Sequence, residues 1–231
     1  MAPLEILLAD EHLAAVAKPP GRIVVPGRGA PERTVREEAE EGLGPLWVVH
    51  RLDRGTSGVL LFARSAGVHR SLCALFELHR ISKRYLALVR GAVAGDLRID
   101  VPVGPGRKGR MRAGGDLPGA RPSATFVRPV VSFGEVATLV EAFPASGRTH
   151  QVRVHLAHAG HALVVDPDYG EPGPWRVPGG GATLHRTPLH AASLEFLHPV
   201  SGVAVRVEAP LPADLETVLA ELRGVQPSKS G

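Results

Sequence analysis

The stretch His50-Arg-Leu-Asp53-Arg-Gly-Thr-Ser-Gly58-Val-Leu-Leu-Phe-Ala63 places a polar, charged turn between two apolar segments. Residues 46–49 before the turn and residues 58–63 after it have the length and composition of short buried strands. Arginines flank Asp53 in the turn, and guanidinium groups favour an ionised carboxylate. Because loops that leave strands often carry catalytic groups, Asp53 is a candidate catalytic residue. The alternative is a structural Asp53 that caps the turn or pairs with Arg51.

The rest of the sequence surrounds this turn with paired strands and inserted helices. Strands are predicted at residues 4–8, 13–17, 83–89, 99–103, 125–131, 136–143, 189–196 and 203–207, and a Gly/Pro-rich loop at 171–181. Helices are predicted after the Thr34–Glu37 capping box, after Ser65, from Gly147 to about His158, and over residues 214–222. Strands that follow one another in pairs favour a mixed α+β fold, with a largely antiparallel central sheet and flanking helices and loops, over a doubly wound parallel sheet. We predict one domain over residues 1–223 and a flexible C-terminal tail over residues 224–231.

The composition limits the possible classes of protein. The chain has 231 residues, of which 44% are hydrophobic, so it can form a packed core and is not disordered throughout. Its single cysteine, Cys73, excludes a disulfide framework and favours a reducing compartment. The longest stretch without a charged residue, Val154 to Val165, has 12 residues, whereas a membrane helix needs about 20. The N-terminal segment lacks the basic start of a signal peptide, so we expect a cytoplasmic protein that does not bind membranes.

The positive charge is concentrated in the middle of the chain. The net charge is +4, and residues 91–160 contain nine basic and five acidic side chains. A glycine- and proline-rich loop in this part contains Arg107, Lys108, Arg110 and Arg112. Such a basic loop is suited to contacts with the phosphates of a nucleic acid. The alternative from charge alone is a solvated surface loop.

A second group of polar side chains lies at the start of the helix predicted from Gly147. Arg148, His150, Gln151 and Arg153 follow closely on one another there, and the helix dipole adds positive potential. This arrangement suits an anion, either a phosphate or a catalytic carboxylate. The alternative is a basic helix that faces solvent.

Two other patterns indicate different chemistry and are weaker. Residues 104–109 match G-x-G-x-x-G, but the residues that follow are poor helix formers, so a nucleotide site is not supported. His150, His155, His158 and His161 lie close together in the sequence and leave a zinc-dependent hydrolase open as an alternative. No cysteine accompanies them, and structural histidines explain the same pattern, so we predict no metal site.

These motifs together carry a family resemblance. The stretch 50–63 resembles the catalytic-aspartate motif of the RluA family of RNA pseudouridine synthases. Four further segments agree with that family in the same order: Lys18-Pro-Pro-Gly21, Lys83-Arg-Tyr85-Leu-Ala-Leu-Val-Arg-Gly91, Gly147-Arg-Thr-His-Gln-Val-Arg-Val-His-Leu156 with Gly160-His161 and Asp166-Pro-Asp-Tyr-Gly170, and Leu189-His-Ala191 with His198-Pro199. The resemblance extends over residues 4–210, which is nearly the whole chain.

The resemblance implies a central, mainly antiparallel sheet and an enzyme that isomerises uridine to pseudouridine in structured RNA without a metal or an organic cofactor. At the matching positions, Asp53 is the implied catalytic nucleophile, Tyr85 the aromatic residue that stacks on the target base, and Arg153 the cation that pairs with the aspartate. We also expect substrate contacts from the basic loop and from Arg51, Arg148 and His150.

Several points stay open at this level. The RNA could be ribosomal or transfer RNA, and we expect a monomer with no obligatory protein partner. The carboxylate could attack ribose C1′, take part in a first step that forms a ribose glycal, or attack uracil C6. A catalytically inactive RNA-binding protein of the same fold is the alternative function, although the presence of Asp53, Tyr85 and Arg153 favours an enzyme.

Overall fold

The computed structural model describes residues 3–26, 32–115 and 118–224. These ranges contain fourteen strands: β1 (Glu5–Ala9), β2 (Leu13–Lys18), β3 (Trp47–Val48), β4 (Ser57–Ala63), β5 (Ser82–Arg90), β6 (Leu97–Asp100), β7 (Val103–Pro105), β8 (Met111–Ala113), β9 (Ala124–Ser132), β10 (Ala137–Pro144), β11 (Trp175–Arg176), β12 (Thr183–Leu184), β13 (Leu189–Leu197) and β14 (Ala204–Glu208). The same ranges contain four helices: α1 (Val35–Leu43), α2 (Ala66–Glu77), α3 (Gln151–His158) and α4 (Ala213–Gly224). The predicted class is confirmed, because the fold is mixed α+β with a central, mostly antiparallel sheet.

The chain divides into two compact units. The first comprises residues 1–84 and 190–210, and the second comprises residues 85–189 and 211–231. The assignment of residues 1–223 to a single domain stays a prediction. Gly224 ends α4, and the rest of the predicted tail lies outside the described residues. Within the described ranges, no helix is both long enough and apolar enough to cross a membrane.

In the first unit, β4 is paired on both sides. It runs antiparallel to β2 and β3 and parallel to β13, while β1 pairs with β2 and β14 pairs with β13. Every residue of β4 is buried, with Leu61 in one apolar cluster and Phe62 in another. Leu72 of α2 packs in the first cluster and Val35 of α1 in the second. A strand covered on both faces has to be apolar throughout, which explains the uninterrupted apolar run after the Asp53 turn.

Both helices of the first unit begin where the sequence predicts. The Thr34 Oγ1 accepts a hydrogen bond from the Glu37 N–H at 3.1 Å, and the Glu37 carboxylate accepts one from the Thr34 N–H at 2.8 Å. This reciprocal pair is the predicted capping box. At the start of α2, the Ser65 Oγ accepts a hydrogen bond from the Val68 N–H at 3.3 Å. Each cap satisfies an amide that the helix itself cannot pair.

In the second unit, β10 pairs antiparallel with β5 and β9, and β9 pairs antiparallel with β6. Alternate residues of a strand point to opposite faces. Ala87 of β5 accordingly lies in the apolar cluster that contains Val152 of α3, whereas Leu88 lies in the cluster that contains Leu219 of α4. Helices α3 and α4 therefore pack on opposite faces of these strands.

The basic loop of the sequence analysis contains a small hairpin. Strand β7 pairs with β8, and Arg107–Gly109 forms a 3₁₀ turn between them. The single strand predicted over residues 99–103 is wrong, because it is divided into the end of β6 and the start of β7. Pro102 lies at the division, where it has no N–H to donate to a ladder.

The prediction that the Gly/Pro-rich stretch at 171–181 is entirely loop is wrong. Strand β11 lies inside it and pairs with β12. The carboxylate of Glu221 on α4 accepts hydrogen bonds from the N–H groups of Gly181 and Ala182 at 2.9 and 2.8 Å. A Cβ at Gly180 would overlap this carboxylate, so the glycine allows the close approach. The long-range partner Glu221 explains why local composition alone gave the wrong structure.

Candidate active site

Asp53 lies half-buried in the turn between β3 and β4. Its carbonyl oxygen accepts a hydrogen bond from the Thr56 N–H at 3.1 Å, which closes the turn. The carbonyl oxygen of Arg54 accepts one from the Gly21 N–H at 2.8 Å. Arg51 is exposed at the start of the turn. The turn is thus tied by its main chain to the Lys18-Pro-Pro-Gly21 segment.

A buried lysine strengthens this tie. Lys18 is only 1% exposed. Its Nζ donates hydrogen bonds to the carbonyl oxygens of Pro19, Arg22 and Arg54 at 2.9, 2.7 and 3.2 Å. A buried ammonium group is tolerated only when its donors are paired in this way. Lys18 was not among the predicted site residues, because Lys18-Pro-Pro-Gly21 was quoted only as part of the family resemblance. The available signal was a lysine at the end of the apolar run Leu13–Ala17.

The Thr56-Ser57-Gly58 end of the turn is locked to β13. In the parallel ladder, Ser57 pairs with His190 and Gly58 with Ala191. Ser57 Oγ lies 3.0 Å from His190 Nδ1, and His190 Nε2 lies 3.2 Å from the carbonyl oxygen of Ala209. The arrangement requires Nε2–H as donor to Ala209 and Nδ1 as acceptor from the serine hydroxyl. Gly58 has φ +117°, and a Cβ there would overlap the carbonyl oxygen of Ala191, so only glycine fits.

His50 braces the other end of the turn as a neutral side chain. Its Nε2 accepts a hydrogen bond from the Leu61 N–H at 2.9 Å, and its ring stacks on Phe76 with centroids 4.9 Å apart. Burial, helped by the positive charge of Lys83, lowers the pKa of His50 to about 3. The imidazole is therefore uncharged at neutral pH, and its acceptor nitrogen is already used. His50 holds β4 next to the turn.

The helix that carries Arg153 begins later than the sequence predicts. The predicted start at Gly147 is wrong, because α3 begins at Gln151 and His150 adopts a left-handed conformation with φ 55°. The Gln151 side chain turns back, and its Oε1 accepts hydrogen bonds from the Ser146 Oγ at 2.6 Å and the Arg148 N–H at 3.1 Å. Residues 151–156 are all buried. The alternative of a solvent-facing basic helix is therefore wrong.

Arg153 is held by two aspartates and a tyrosine. Its Nε donates to Asp166 Oδ2 at 2.9 Å and its Nη2 to Asp166 Oδ1 at 2.6 Å, which makes a two-point fork. The same Nη2 lies 2.7 Å from Asp168 Oδ2. The guanidinium carbon lies 5.1 Å from the centroid of the Tyr169 ring, within range of a cation–π interaction. Sequence reasoning quoted Asp166-Pro-Asp-Tyr-Gly170 only as part of the resemblance and assigned no role to its side chains.

The turn around Asp168 also contacts the β7–β8 hairpin. Arg110 Nε lies 3.3 Å from Asp168 Oδ1, and the Tyr169 hydroxyl accepts a hydrogen bond from the Met111 N–H at 2.8 Å. His150 Nδ1 lies 2.8 Å from the same hydroxyl. Burial raises the pKa of Asp168, but the hydrogen bond and charge of Arg153, with the charges of His150 and Arg110, outweigh it and leave the pKa lowered. Asp168 therefore stays ionised between two arginines.

The histidines of the α3 region have separate partners. His155 Nδ1 lies 2.8 Å from Thr125 Oγ1 and its Nε2 lies 3.0 Å from the carbonyl oxygen of Val101, so both ring nitrogens are used. Burial lowers the pKa of His155. His161 Nδ1 lies 3.3 Å from the carbonyl oxygen of Arg90. Across the residues that the structure describes, no three His, Cys, Asp or Glu side chains form a group that could hold a metal ion.

The other predicted site residues lie on the second unit. Tyr85 is half-buried on β5 opposite Ala142 and packs against the apolar cluster on the α3 side. Arg148 is half-buried, and its Nε has no hydrogen-bond partner among the described residues. Arg107 and Arg112 are exposed on the hairpin, whereas the side chain of Lys108 lies outside the described part of the chain.

Two solved structures share this fold. Human RNA Pseudouridylate Synthase Domain Containing 1 has a TM-score of 0.73 and 25% identity, covering 99% of this chain and 100% of that chain. Human RNA Pseudouridylate Synthase Domain Containing 4 has a TM-score of 0.75 and 24% identity, covering 95% of this chain and 93% of that chain. This second likeness supports the fold alone. The fold is thus that of the pseudouridylate synthases.

Sequence comparison gives the family. The profile of RNA pseudouridylate synthases matches residues 12–158, a range that contains Asp53, Tyr85 and Arg153. Ribosomal large subunit pseudouridine synthase D of Xanthomonas campestris is 35% identical and covers 96% of this chain and 70% of its own length. Ribosomal large subunit pseudouridine synthase C of Yersinia pestis is 41% identical, and the match covers 94% of this chain and 69% of that protein. The synthase C of Escherichia coli K12 is 36% identical, and the match covers 96% of this chain and 70% of that protein.

This chain belongs to the RNA pseudouridylate synthase family. The predicted resemblance to its RluA branch is confirmed by the similarity to synthases C and D over most of the chain. The protein is therefore an RNA pseudouridine synthase, an isomerase that forms pseudouridine in RNA.

Proposed function

We propose that this enzyme isomerises specific uridines in structured RNA with Asp53 as its nucleophile, and that ribosomal RNA is the substrate to test first. The names of the similar synthases support ribosomal RNA, since they are large-subunit enzymes. Transfer RNA is the second substrate to test. The observation that carries the role of Asp53 is its place in a turn whose main chain is fixed by Lys18 and Gly21.

The chemistry requires an ionised carboxylate and a protected base. The N1–C1′ glycosidic bond breaks, uracil rotates, a bond forms between C5 and C1′, and the proton on C5 is lost while N1 gains one. Atoms and electrons balance without a redox partner, so the proposal needs no cofactor. Asp53 would attack ribose C1′, take part in a first step that forms a ribose glycal, or attack uracil C6, and in each case only the carboxylate form serves. Because a released base would be lost to solvent, the site must exclude water.

The remaining predicted residues receive roles in the same proposal. Tyr85 offers an aromatic face for the extruded uracil, as in other enzymes that take a base out of the stack. Arg153 is the proposed cation that pairs with the carboxylate of Asp53. Arg51, Arg148 and His150 contact the nucleotide or its phosphates, and the arginines of the hairpin bind the RNA backbone. A cytoplasmic location and a monomeric state remain predictions.

The test measures tritium release from RNA labelled at uracil C5, because that hydrogen leaves only when the C5–C1′ bond has formed. Large-subunit ribosomal RNA and bulk transfer RNA, each transcribed with [5-³H]uridine, are incubated with the purified chain. We expect release from ribosomal RNA at a few fixed uridines, identified by chemical mapping of pseudouridine. Binding of both RNAs without release from either would support the inactive RNA-binding alternative and overturn the proposal.

The same assay separates the zinc alternative. Treatment with excess chelator should leave the release of tritium unchanged, since the proposed isomerisation uses the side chains of Asp53, Tyr85 and Arg153 and no metal ion. Loss of activity on chelation, with recovery on adding zinc, would contradict the proposed mechanism.

A further inference from the structure

The fork between Arg153 and Asp166 is buried far more deeply than an ordinary surface ion pair. The two side chains are 5% and 1% exposed. The chain contains a second arginine–aspartate fork of the same chemistry, Arg186 with Asp214, whose side chains are 12% and 39% exposed. Burial of an ion pair is a poor way to stabilise a fold, because the loss of hydration offsets the attraction. The depth of the Arg153 fork therefore calls for a role other than stability.

Asp166 itself is fixed by the main chain of its own turn. Its Oδ1 accepts hydrogen bonds from the N–H groups of Asp168 and Tyr169 at 3.0 and 3.2 Å, in addition to the bond from Arg153 Nη2. These amides hold the carboxylate plane in one orientation. Since the fork is planar, the orientation of the carboxylate sets that of the guanidinium group.

Two further groups restrict Arg153 from other sides. Asp168 Oδ2 takes the second hydrogen of Nη2 at 2.7 Å, and the ring of Tyr169 lies against the guanidinium face. An arginine without such support has several rotatable bonds and would be drawn toward the phosphates of a bound RNA. The turn at 166–169 removes that freedom before RNA arrives, which is the physical meaning of a preorganised site.

We propose that Asp166 is a positioning residue for uridine isomerisation, which acts by fixing the plane and reach of Arg153. The inference rests on the role that the proposed function gives to Arg153. Asp168 supports the same arginine more weakly, because its side chain is 30% exposed and is shared with Arg110 of the hairpin. The expected order of effects on the chemical step is therefore Asp166 first and Asp168 second.

The test compares Asp166→Asn with Asp214→Asn, the same change in the exposed fork. Single-turnover rates are measured with saturating enzyme, and RNA affinity is measured separately. We expect Asp166→Asn to lower the saturated rate about 100-fold, the size expected when a catalytic group is misplaced by about 1 Å. Affinity for RNA should change little, and Asp214→Asn should react like the wild type. Equal losses in both variants, or a loss confined to RNA affinity, would overturn the inference.

A double variant tests whether Asp166 acts through Arg153. Arg153→Lys keeps the charge but loses the planar fork. If Asp166 serves only to position this arginine, Arg153→Lys with Asp166→Asn should be no slower than Arg153→Lys alone. Multiplicative losses would overturn the inference, and so would a wild-type rate for Arg153→Lys beside a slow Asp166→Asn.

A spectroscopic measurement covers the case in which Asp166→Asn does not fold. The Arg153 Nε–H signal in a ¹⁵N NMR spectrum is identified by its loss in Arg153→Lys. In the wild type it should exchange slowly with water, because Nε is buried and bonded to Asp166. Asp168→Asn should keep this slow exchange and lower the saturated single-turnover rate by less than about 100-fold. Exchange as fast as that of the exposed Arg107 would overturn the inference.

Failure of the proposed function would appear in different measurements. A wild-type protein that releases no tritium, or an Asp53→Asn variant as active as wild type, overturns the proposed reaction or its nucleophile. The positioning role fails by itself when the wild type is active, Arg153→Lys is slow, and Asp166→Asn reacts at the wild-type saturated rate.

Discussion

The two units hold their functional segments in different ways. In the first unit, the Asp53 turn is fixed through main-chain atoms, by Lys18 at one end and by the β4–β13 ladder at the other. In the second unit, Arg153 is fixed through side-chain charges, by Asp166 and Asp168. The main-chain anchors of this turn do not include the Asp53 carboxylate, so they do not depend on its charge. A cation that has to keep one orientation is best held by fixed anions, because paired charges define both distance and plane.

The difference predicts that removing the charge of Asp53 abolishes the reaction and leaves its turn intact. In Asp53→Asn the amide keeps the size of the side chain, and none of the main-chain anchors is changed. We expect the saturated single-turnover rate to fall by at least about 10³-fold, as is usual for loss of a nucleophile. RNA affinity and the thermal unfolding midpoint should stay near the wild-type values. A rate within about tenfold of wild type, which corresponds to a barrier raised by about 1.4 kcal/mol or less, would contradict the assignment.

Removal of the Lys18 ammonium should break the support of the same turn. In Lys18→Met the carbonyl oxygens of Pro19, Arg22 and Arg54 lose this donor in a buried position. We expect the free energy of unfolding to fall by about 3 kcal/mol or more, since each unsatisfied buried group costs about 1–3 kcal/mol. Urea titration of the wild type and of Lys18→Met measures the change. Equal stability of the two proteins would show that the turn does not depend on Lys18.

Tyr85 tests whether the second unit also contributes an uncharged contact. Tyr85→Phe keeps the ring, whereas Tyr85→Ala removes it. If stacking on the base is the main role, the Ala variant should lose about 1–3 kcal/mol of transition-state stabilisation, or roughly 5- to 150-fold in rate. The Phe variant should remain close to wild type in the tritium-release assay. Equal losses in both variants would assign the function to the hydroxyl group instead of the ring.

The uncharged side chain of His50 makes the stability of the first unit depend on pH. Its pKa in the folded state is about 3, below the ordinary value of 6.5. The unfolded chain therefore binds more protons, and the stability that His50 supplies is complete above pH 6.5 and is lost as the pH falls toward 3. The expected slope reaches about 1.4 kcal/mol per pH unit. Urea unfolding of His50→Asn should show a flatter pH profile than wild type, and identical profiles would contradict this role of His50.

The hairpin should give the smallest effect, on affinity alone. Changing Arg107, Lys108, Arg110 and Arg112 together to Ser should weaken RNA binding and flatten its dependence on salt, because each lost phosphate contact reduces the slope by about 0.7–0.9. Arg110→Ser alone should contribute least, since Arg110 already interacts with Asp168. Binding measured between low and moderate salt checks both statements. A salt slope unchanged in the fourfold variant would make the hairpin an ordinary solvated surface.

Local patterns were enough to predict the elements that depend on local physics. The caps of α1 and α2 and the apolar run of β4 were all readable, because a cap or an alternation involves residues a few positions apart. The acid-bearing turn was readable for the same reason. The start of α3 was not, since it depends on the left-handed conformation of His150 and on the backward turn of the Gln151 side chain.

The supports of the site were beyond the reach of local patterns. The sequence does not distinguish Lys18 from other lysines. Its role depends on its burial and on its hydrogen bond to the carbonyl oxygen of Arg54, 36 residues away. Asp166 likewise gains its proposed role from its contact with Arg153, which lies 13 positions earlier on α3. The proposed catalytic residues could be named from motifs, whereas the residues that support them could be found only from three-dimensional contacts.

The bond between Ser57 and His190 has a consequence for the order in which the protein matures. It joins residues 133 positions apart, and the ladder beside it forms only when β13 is available. During synthesis on a ribosome, the Asp53 turn is made before this anchor, because residues 58–189 are translated between Ser57 and His190. A nascent chain therefore lacks the Ser57–His190 bond until β13 has been made. Such distant closure is typical of proteins that fold slowly, so we expect the turn that carries the proposed nucleophile to be completed only after β13 has been synthesised.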